Sequence, residues 1–523
     1  MRMFPPALAL ILAGVLSLPA NVDAATFVVN STGNQSDSNV GNGVCRTSSS
    51  GTTCTLRAAI QEANATTATD TITFNIGGGG PQRITLTSSL PTITRPVIID
   101  GWTQPGWVDV PLIEVRGDDG YGDGFKVQGG NSTIRGLIIN GFGGDGIIIT
   151  NSGNNVVEGC YIGTNADGSE PVPNQETGIR VQSPNNRIGG REVLQRNVVS
   201  GNTGRDVMGG IMIYGQSATG NVVQGNFIGL DATGLLPMGN EGRGVAIHDA
   251  SNNYVGGSLA GAGNLIAANR ATGVRIWGGS STGNVVQGNW IGINKLGETK
   301  YGLWPEPGTL SNARGVQSRG DGNYILENYI LGNTWDGVLF YDGTDKDFDP
   351  TAKSSNNIVY KNVIAYHGLN GIGAYVGRRN WFISNSIFEN ERLGIELGVE
   401  EIDGTTDNDP GDNDEGPNDL QNYPVLASAV VSGSQTIVAG SLNSKPNKTY
   451  HLQFFVDSYC DPESGHGEAR YYVGDSSVTT NATGNGSFTV NIGAALPYGW
   501  VVTSTAIDPD HNTSELSACM YVR

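Results

Sequence analysis

A recurring asparagine frame, short Val/Ile strands that each follow a glycine, and the lack of long apolar runs with a 3.6-residue period together predict an all-β solenoid, a parallel β-helix. The asparagine returns in Asn197-Val198-Val199, Asn226-Phe227-Ile228, Asn264-Leu265-Ile266, Asn289-Trp290-Ile291, Asn328-Tyr329-Ile330, Asn362-Val363-Ile364 and Asn385-Ser386-Ile387. A loop follows each, then glycine and a β-branched strand, as in Gly210-Ile211, Gly244-Val245, Gly273-Val274 and Gly315-Val316. The chain has 523 residues with 78 glycines and no collagen period, which means many tight turns.

Residues 1–24 read as an export signal. Arg2 precedes an apolar run over residues 7–18, too short for a typical membrane span, and Val22-Asp23-Ala24 has the small-residue pattern of a cleavage site. A mature protein that is secreted or periplasmic, with no membrane insertion, is expected. Residues 25–125 form the N-terminal cap and first coils. Within them, Thr55 caps a short helix whose Leu56, Ile60 and Ala63 line one face, and such a helix covers the open end of a solenoid. Of the five cysteines, Cys45 and Cys54 are close enough to close a small loop, and Cys460 and Cys519 both lie where they can staple the C-terminal region. Cys160 is left over, at a coil position where other coils have asparagine, and reads as buried and structural.

The segment Cys54-Thr55-Leu56-Arg57-Ala58-Ala59-Ile60 resembles the N-terminal signature of bacterial exported β-helix proteins known for a Cys-Ser-Leu-Arg-Glu-Ala (CSLREA) motif. Ala58 stands where that motif has Glu, and residues 86–106 resemble the segment that often follows it. The resemblance implies export and, with the general crossover preference, a right-handed parallel β-helix. It implies little about activity, because one fold hosts many.

Residues 126–404 are the coils. Insertions recur at 162–168, 228–234 and 291–297, with Cys160 to Asn226 spanning 66 residues and Asn226 to Asn289 spanning 63, so the unit is a pair of coils. Insertions on one side of a solenoid wall a binding face. Residues 405–422 are an acidic linker. Residues 423–523 alternate apolar and polar residues at 436–440, 450–456, 487–490 and 501–506, the pattern of a small C-terminal β-sandwich.

In the strand after each glycine, alternation puts Arg180, Arg275 and Gln317 in one outward row. The next outward row holds Tyr214, His248, Trp277, Arg319, Tyr341 and Tyr375. An exposed aromatic line is a surface on which sugar rings stack. Arg180, Arg275 and Arg319, flanked by Arg243 and Arg314, suit carboxylate or sulfate recognition. Formal net charge is −19, which argues against nucleic acid as a partner. The expected partner is an extracellular polysaccharide of anionic character, and the expected function is to bind and degrade it. Arg180, Tyr214, Trp277, Arg319, Tyr341 and Tyr375 are the candidate substrate-binding residues.

Two catalytic sets fit the face. A glycoside hydrolase would draw an acid and a base from Glu176, Asp206, Glu241, Asp249, Asp336 and Asp342. A polyuronate lyase would use Arg275 and Arg319 on the uronate carboxylate and His248 with Tyr214 or Tyr341 for proton transfer. The competing reading is a non-catalytic extracellular adhesin or matrix protein, favoured by regular coils without a diagnostic catalytic motif. In the linker, Asp407, Asp409, Asp412 and Asp414 place oxygens at near-alternate positions among turn residues, as a Ca²⁺ loop requires.

Overall fold

The computed structural model describes residues 23–118, 120, 122–204, 208–299, 309–341, 354–398, 404–461 and 464–523. Three parallel sheets of 12, 11 and 10 strands wrap one long core. A representative coil runs from Arg243–His248 in the ten-stranded third sheet to Tyr254–Gly256 in the twelve-stranded first and Leu265–Ile266 in the eleven-stranded second, then back to the third at Thr272–Trp277. Coils pair in unbroken register, Val245 opposite Val274 and Ile247 opposite Ile276. Like residues therefore stack. Ile228, Ile266, Ile291 and Ile330 form one inward column with no exposed surface.

In its short form, the turn between the first and second sheets has one residue with positive φ just before the repeating asparagine. Gly225 and Gly288 fill that position at φ 69° and 67°, and Glu327 takes the same conformation at 53°. The asparagine side chain then satisfies the turn. Asn264 Oδ1 accepts from both N and Nδ2 of Asn226 at 3.0 Å, while its own Nδ2 donates to the Val223 carbonyl at 2.9 Å. A buried amide without such partners costs about 1–3 kcal/mol, so each rung depends on the next.

The sequence reading identified one such ladder; the structure has three. A second, between the third and first sheets, runs through Asn155, Asn186, Asn221, Asn253, Asn284, Asn323, Asn357 and Asn380. A third, between the second and third sheets, runs from Asn174 through Asn202, Asn240, Asn269, Asn312 and Asn333. There, His367 takes the next rung. Its Nδ1 accepts from Asn333 N at 3.1 Å and its Nε2 lies 3.0 Å from the Ile330 carbonyl, which fixes a neutral ring. Burial pushes its pKa down to about 4. Cys160 begins the ladder of the first turn, its N donating to Asn197 Oδ1 at 2.9 Å, and burial pushes its thiol up to about 12.

At the N-terminal end the helix Leu56–Asn64 packs on the first strands. Thr55 Oγ1 accepts from Ala58 N at 3.1 Å, and Leu56, Ile60 and Ala63 are buried against Phe27, Val29 and Ile72. At the other end a three-stranded and a four-stranded antiparallel sheet form the sandwich around Tyr450, Phe454 and Val502. Cys45 is bonded to Cys54, and Cys460 to Cys519. The sandwich is bonded to the last coils. Gln453 Oε1 accepts from Ser384 N at 2.7 Å, Glu515 Oε1 accepts from Leu397 N at 2.9 Å, and Glu468 Oε1 accepts from Asn390 N and Nδ2 at 3.1 and 2.8 Å. The acidic stretch is folded onto this end rather than strung free. Asn418 supplies the rung beyond Asn380, accepting from its N at 2.9 Å. Among the described residues no helix is long and apolar enough to cross a membrane.

Candidate functional site

The third sheet carries both expected outward rows in register. Arg180 lies between Ile148 and Met212, Arg275 between Ala246 and Gln317, and His248 between Tyr214 and Trp277. Alternation along the strands makes this so: Ile211, Ile213, Val245, Ile247, Val274 and Ile276 point into the core.

The centre of the face is cationic. Arg275 is half-buried, its guanidinium 3.6 Å from the Trp277 ring centroid, and Arg319 lies 4.6 Å from the same centroid. Burial first, and then repulsion from Arg243, Arg314 and Arg319, pushes the Arg275 pKa down to about 9. Its Nε is buried without a hydrogen-bond partner, and no carboxylate among the described residues forms an ion pair with it. His248 stands beside this cluster. Its ring meets Tyr214 edge-on at 5.4 Å, and its Nε2 is 3.5 Å from Asp249 Oδ2. Burial lowers its pKa, Arg275 and Arg243 lower it further, and Asp249 opposes them. The imidazole is neutral at neutral pH and able to accept a proton.

The carboxylates are mostly engaged. Glu176 pairs with Arg180 at 2.6 Å and Glu241 with Arg270 at 2.6 Å, while buried Asp336 sits 3.6 Å from Arg314. Arg180 also holds Asp145, at 2.8 Å. Burial pushes Asp145 up to about 6. Asp145 is absent from the residues singled out by sequence, although Gly144-Asp145-Gly146 matches the local frame of Asp336-Gly337. Asp145 and Glu176, sharing one arginine, are two carboxyls with different environments on adjacent coils.

Several expectations are corrected. Tyr375 is only 5% exposed and its hydroxyl accepts from Asn370 Nδ2 at 3.2 Å, so it is packed rather than open to a sugar. Trp277 stacks arginines on its ring. Tyr214, 41% exposed, is the open aromatic of the row, and Tyr341 is half-buried. Asp206 and Asp342 lie outside the described residues. In the acidic stretch, Asp409, Asp412 and Asp414 each offer a ligand atom, all within 4.8 Å of one another, whereas Asp407 is exposed and outside that group. Asp409 and Asp412 already accept from Asn413 N, Asn422 N and Ser444 Oγ; Asp414 Oδ1 is buried without a partner.

Residues 114–308 match the family model described as "Right handed beta helix region". The fold is a right-handed parallel β-helix. No curated protein matches the chain. Among solved structures it is similar to the A-module of the Azotobacter vinelandii mannuronan C-5 epimerase AlgE4, at 14% identity over 65% of this chain and 86% of that one, with a TM-score of 0.40. It is also similar to the periplasmic alginate epimerase AlgG, at 13% identity over 64% and 74%, TM-score 0.27. The enzymatically active domain of bacteriophage CBA120 tailspike protein 2 matches at 9% identity over 89% and 73%, TM-score 0.29. At these values the likeness says nothing about chemistry.

Proposed function

We propose that this is an exported protein that binds an anionic polysaccharide on the third-sheet face and cleaves it by elimination. One observation carries the reading: Arg275 sits half-buried among three further arginines, with no carboxylate among the described residues paired to it and a neutral histidine one strand away. A chain of net charge −19 that concentrates arginines so tightly at one place is built to receive negative charge there. In the reaction, Arg275 and Arg319 neutralise the uronate carboxylate and make the adjacent C5 proton acidic. His248 takes that proton. The electron pair forms a C4–C5 double bond as the C4–O bond breaks, and the Tyr214 hydroxyl protonates the leaving oxygen. Elimination is favoured over hydrolysis because Glu176, Glu241 and Asp336 are held in ion pairs. Two disulfides support an oxidising compartment. A calcium ion on Asp409, Asp412 and Asp414 is part of the same proposal, with a structural role beside the sandwich; the unpartnered Asp414 oxygen supports it.

The test incubates the purified mature protein with polygalacturonate, alginate and neutral glucans. Ultraviolet absorbance from the new double bond is followed beside reducing ends. Unsaturated product from an anionic polymer is expected. Reducing ends without it would replace elimination by hydrolysis and move attention to Asp145 and Glu176. Retention on the polymer without product would leave the adhesin or matrix reading. Neither product nor retention would end the proposal.

A further inference from the structure

A second face of the solenoid has an aromatic row that the third-sheet reading does not use. Along the eleven-stranded second sheet, the outward residues Tyr161, Val198, Phe227, Leu265, Trp290 and Tyr329 stand opposite one another coil by coil. Val198 and Phe227 are buried in a small apolar cluster with Leu230, Ala267 and Leu310, whereas Trp290 and Tyr329 lie outside that cluster. Trp290 and Tyr329 meet edge-on at 5.8 Å, Tyr329 is 46% exposed, and the Arg196 guanidinium lies 4.1 Å from the Phe227 ring centroid.

Two walls flank the row, each built once per pair of coils. On one side, the loops at 163–173, 229–238 and 292–298 stack, with Ala232 N donating to Gly168 O and Lys295 N to Gly234 O, both at 2.9 Å. On the other, loops at 190–196 and 257–263 lengthen the turn between the first and second sheets; Gly225 N donates to Ala262 O at 3.0 Å and Gly159 N to Gln195 O at 3.1 Å. The trough between them has a volume of about 450 Å³. Arg196 comes from one wall and Lys295 from the other, and among the described residues Glu327 is its one acidic lining residue. Two cations against one carboxylate make the lining net positive on a chain of −19. The second wall is rich in glycine, at 257, 261 and 263, so an occupant can approach the main chain closely.

We propose that this trough is a second binding site, for a linear oligosaccharide bearing carboxylates. Stacked coils repeat about every 4.8 Å, close to the advance of one hexose along an extended chain. Successive sugar rings can therefore lie on Leu265, Trp290 and Tyr329, beyond the buried Phe227, while Arg196 and Lys295 take the carboxylates from either side. The site does not rest on the third-sheet proposal, since it is on a different sheet. Together the two faces would let one molecule hold two segments of polymer.

The test is affinity electrophoresis of the full mature protein through gels containing polygalacturonate, alginate or neutral dextran. The proteins are wild type, R275M, the pair W290A/Y329A, R196Q, and R275M combined with W290A/Y329A. Melting temperatures check folding; Trp290 and Tyr329 both point outward, so their loss leaves the core column intact. R275M is expected to keep retardation in the anionic gels. Adding W290A/Y329A to it is expected to weaken that retardation about tenfold or more, as does removal of an interface anchor residue. R196Q is expected to weaken it in the anionic gels and change nothing in dextran. Residual retardation of R275M that survives W290A/Y329A would overturn the proposal, as would R275M losing all retardation. Wild-type mobility in R275M together with loss in W290A/Y329A would sustain this site and sink the third-sheet reading instead.

Discussion

Replacing Arg275 by methionine should make the unliganded protein more stable and remove the third-sheet share of its response to an anionic polymer. The charged side chain is held in the fold at about 9, far below the usual guanidinium range, by burial and by Arg243, Arg314 and Arg319. Without screening that shift is worth roughly 5 kcal/mol against the charged folded form. Arg275 keeps contact with solvent, which cuts the figure to about 2–3 kcal/mol. Methionine preserves most of the apolar stem but gives up the guanidinium on Trp277, about 1–2 kcal/mol. The net expectation is a gain of about 1 kcal/mol at pH 7, seen as a higher urea midpoint. The sign follows from linkage. The folded-state pKa lies below the unfolded one, so the penalty is full below pH 9 and disappears as the pH rises above it, and the difference between variant and wild type should close in that direction. Polygalacturonate should raise the midpoint of wild type by more than that of R275M, which keeps only the second-sheet trough. A variant that is destabilised by more than about 1 kcal/mol, or that still responds to the polymer as wild type does, would refute the account of a strained, anion-seeking arginine.

Other outcomes follow from the same physics. His367 is neutral in the fold, with its pKa at about 4 against 6.5 in the unfolded chain, so as pH falls through that window only the unfolded state takes up the proton. Wild type should lose about 3 kcal/mol more than H367N between pH 7 and pH 4 in urea titrations, because asparagine continues the ladder without a titrating ring; equal losses would dismiss the effect. Saturating calcium should raise the melting temperature, by about 2.7 kcal/mol of stabilisation at one hundred times its dissociation constant, and D414N should abolish the gain. An unmoved melting temperature in wild type would remove the ion from the acidic loop.

The solenoid was legible because its physics is local and repeated. A turn closed by one buried amide writes the same few letters from coil to coil, and Asn226-Phe227-Ile228 already shows turn, outward residue and core residue in order. The same letters at Asn221-Val222-Val223 and Asn284-Val285-Val286 belong to another ladder, and they are identical to Asn197-Val198-Val199 of the first, so the letters alone do not separate the two turns. The outward rows of the third sheet could be read from alternation alone. Their state could not. Whether Arg275 is paired, whether Tyr375 is open and which carboxylate finds Arg180 depend on side chains from neighbouring coils, tens of residues apart along the chain. The second-sheet trough was hidden for a related reason: its aromatic residues are each visible, but its walls come from loops that alternate between coils.

Each asparagine ladder also has a direction. In the first ladder each side-chain amide uses one N–H to donate toward the C-terminal end of the solenoid and turns the other back to a carbonyl of the preceding coil, as Asn226, Asn264 and Asn289 do in turn. Aligned amide dipoles add along such a column as they do along a helix. In the column that passes through Asn240 and Asn312 the side-chain relay is interrupted at His367, whose N donates to Asn390 Oδ1, and Asn390 Nδ2 in turn donates to the Glu468 carboxyl. The sandwich is therefore an electrical terminator as well as a steric plug. It presents the acceptor that one more coil would have presented. A solenoid without it would expose an unpaired parallel edge backed by a column of oriented donors, and growth by a second chain would be the natural way to discharge both.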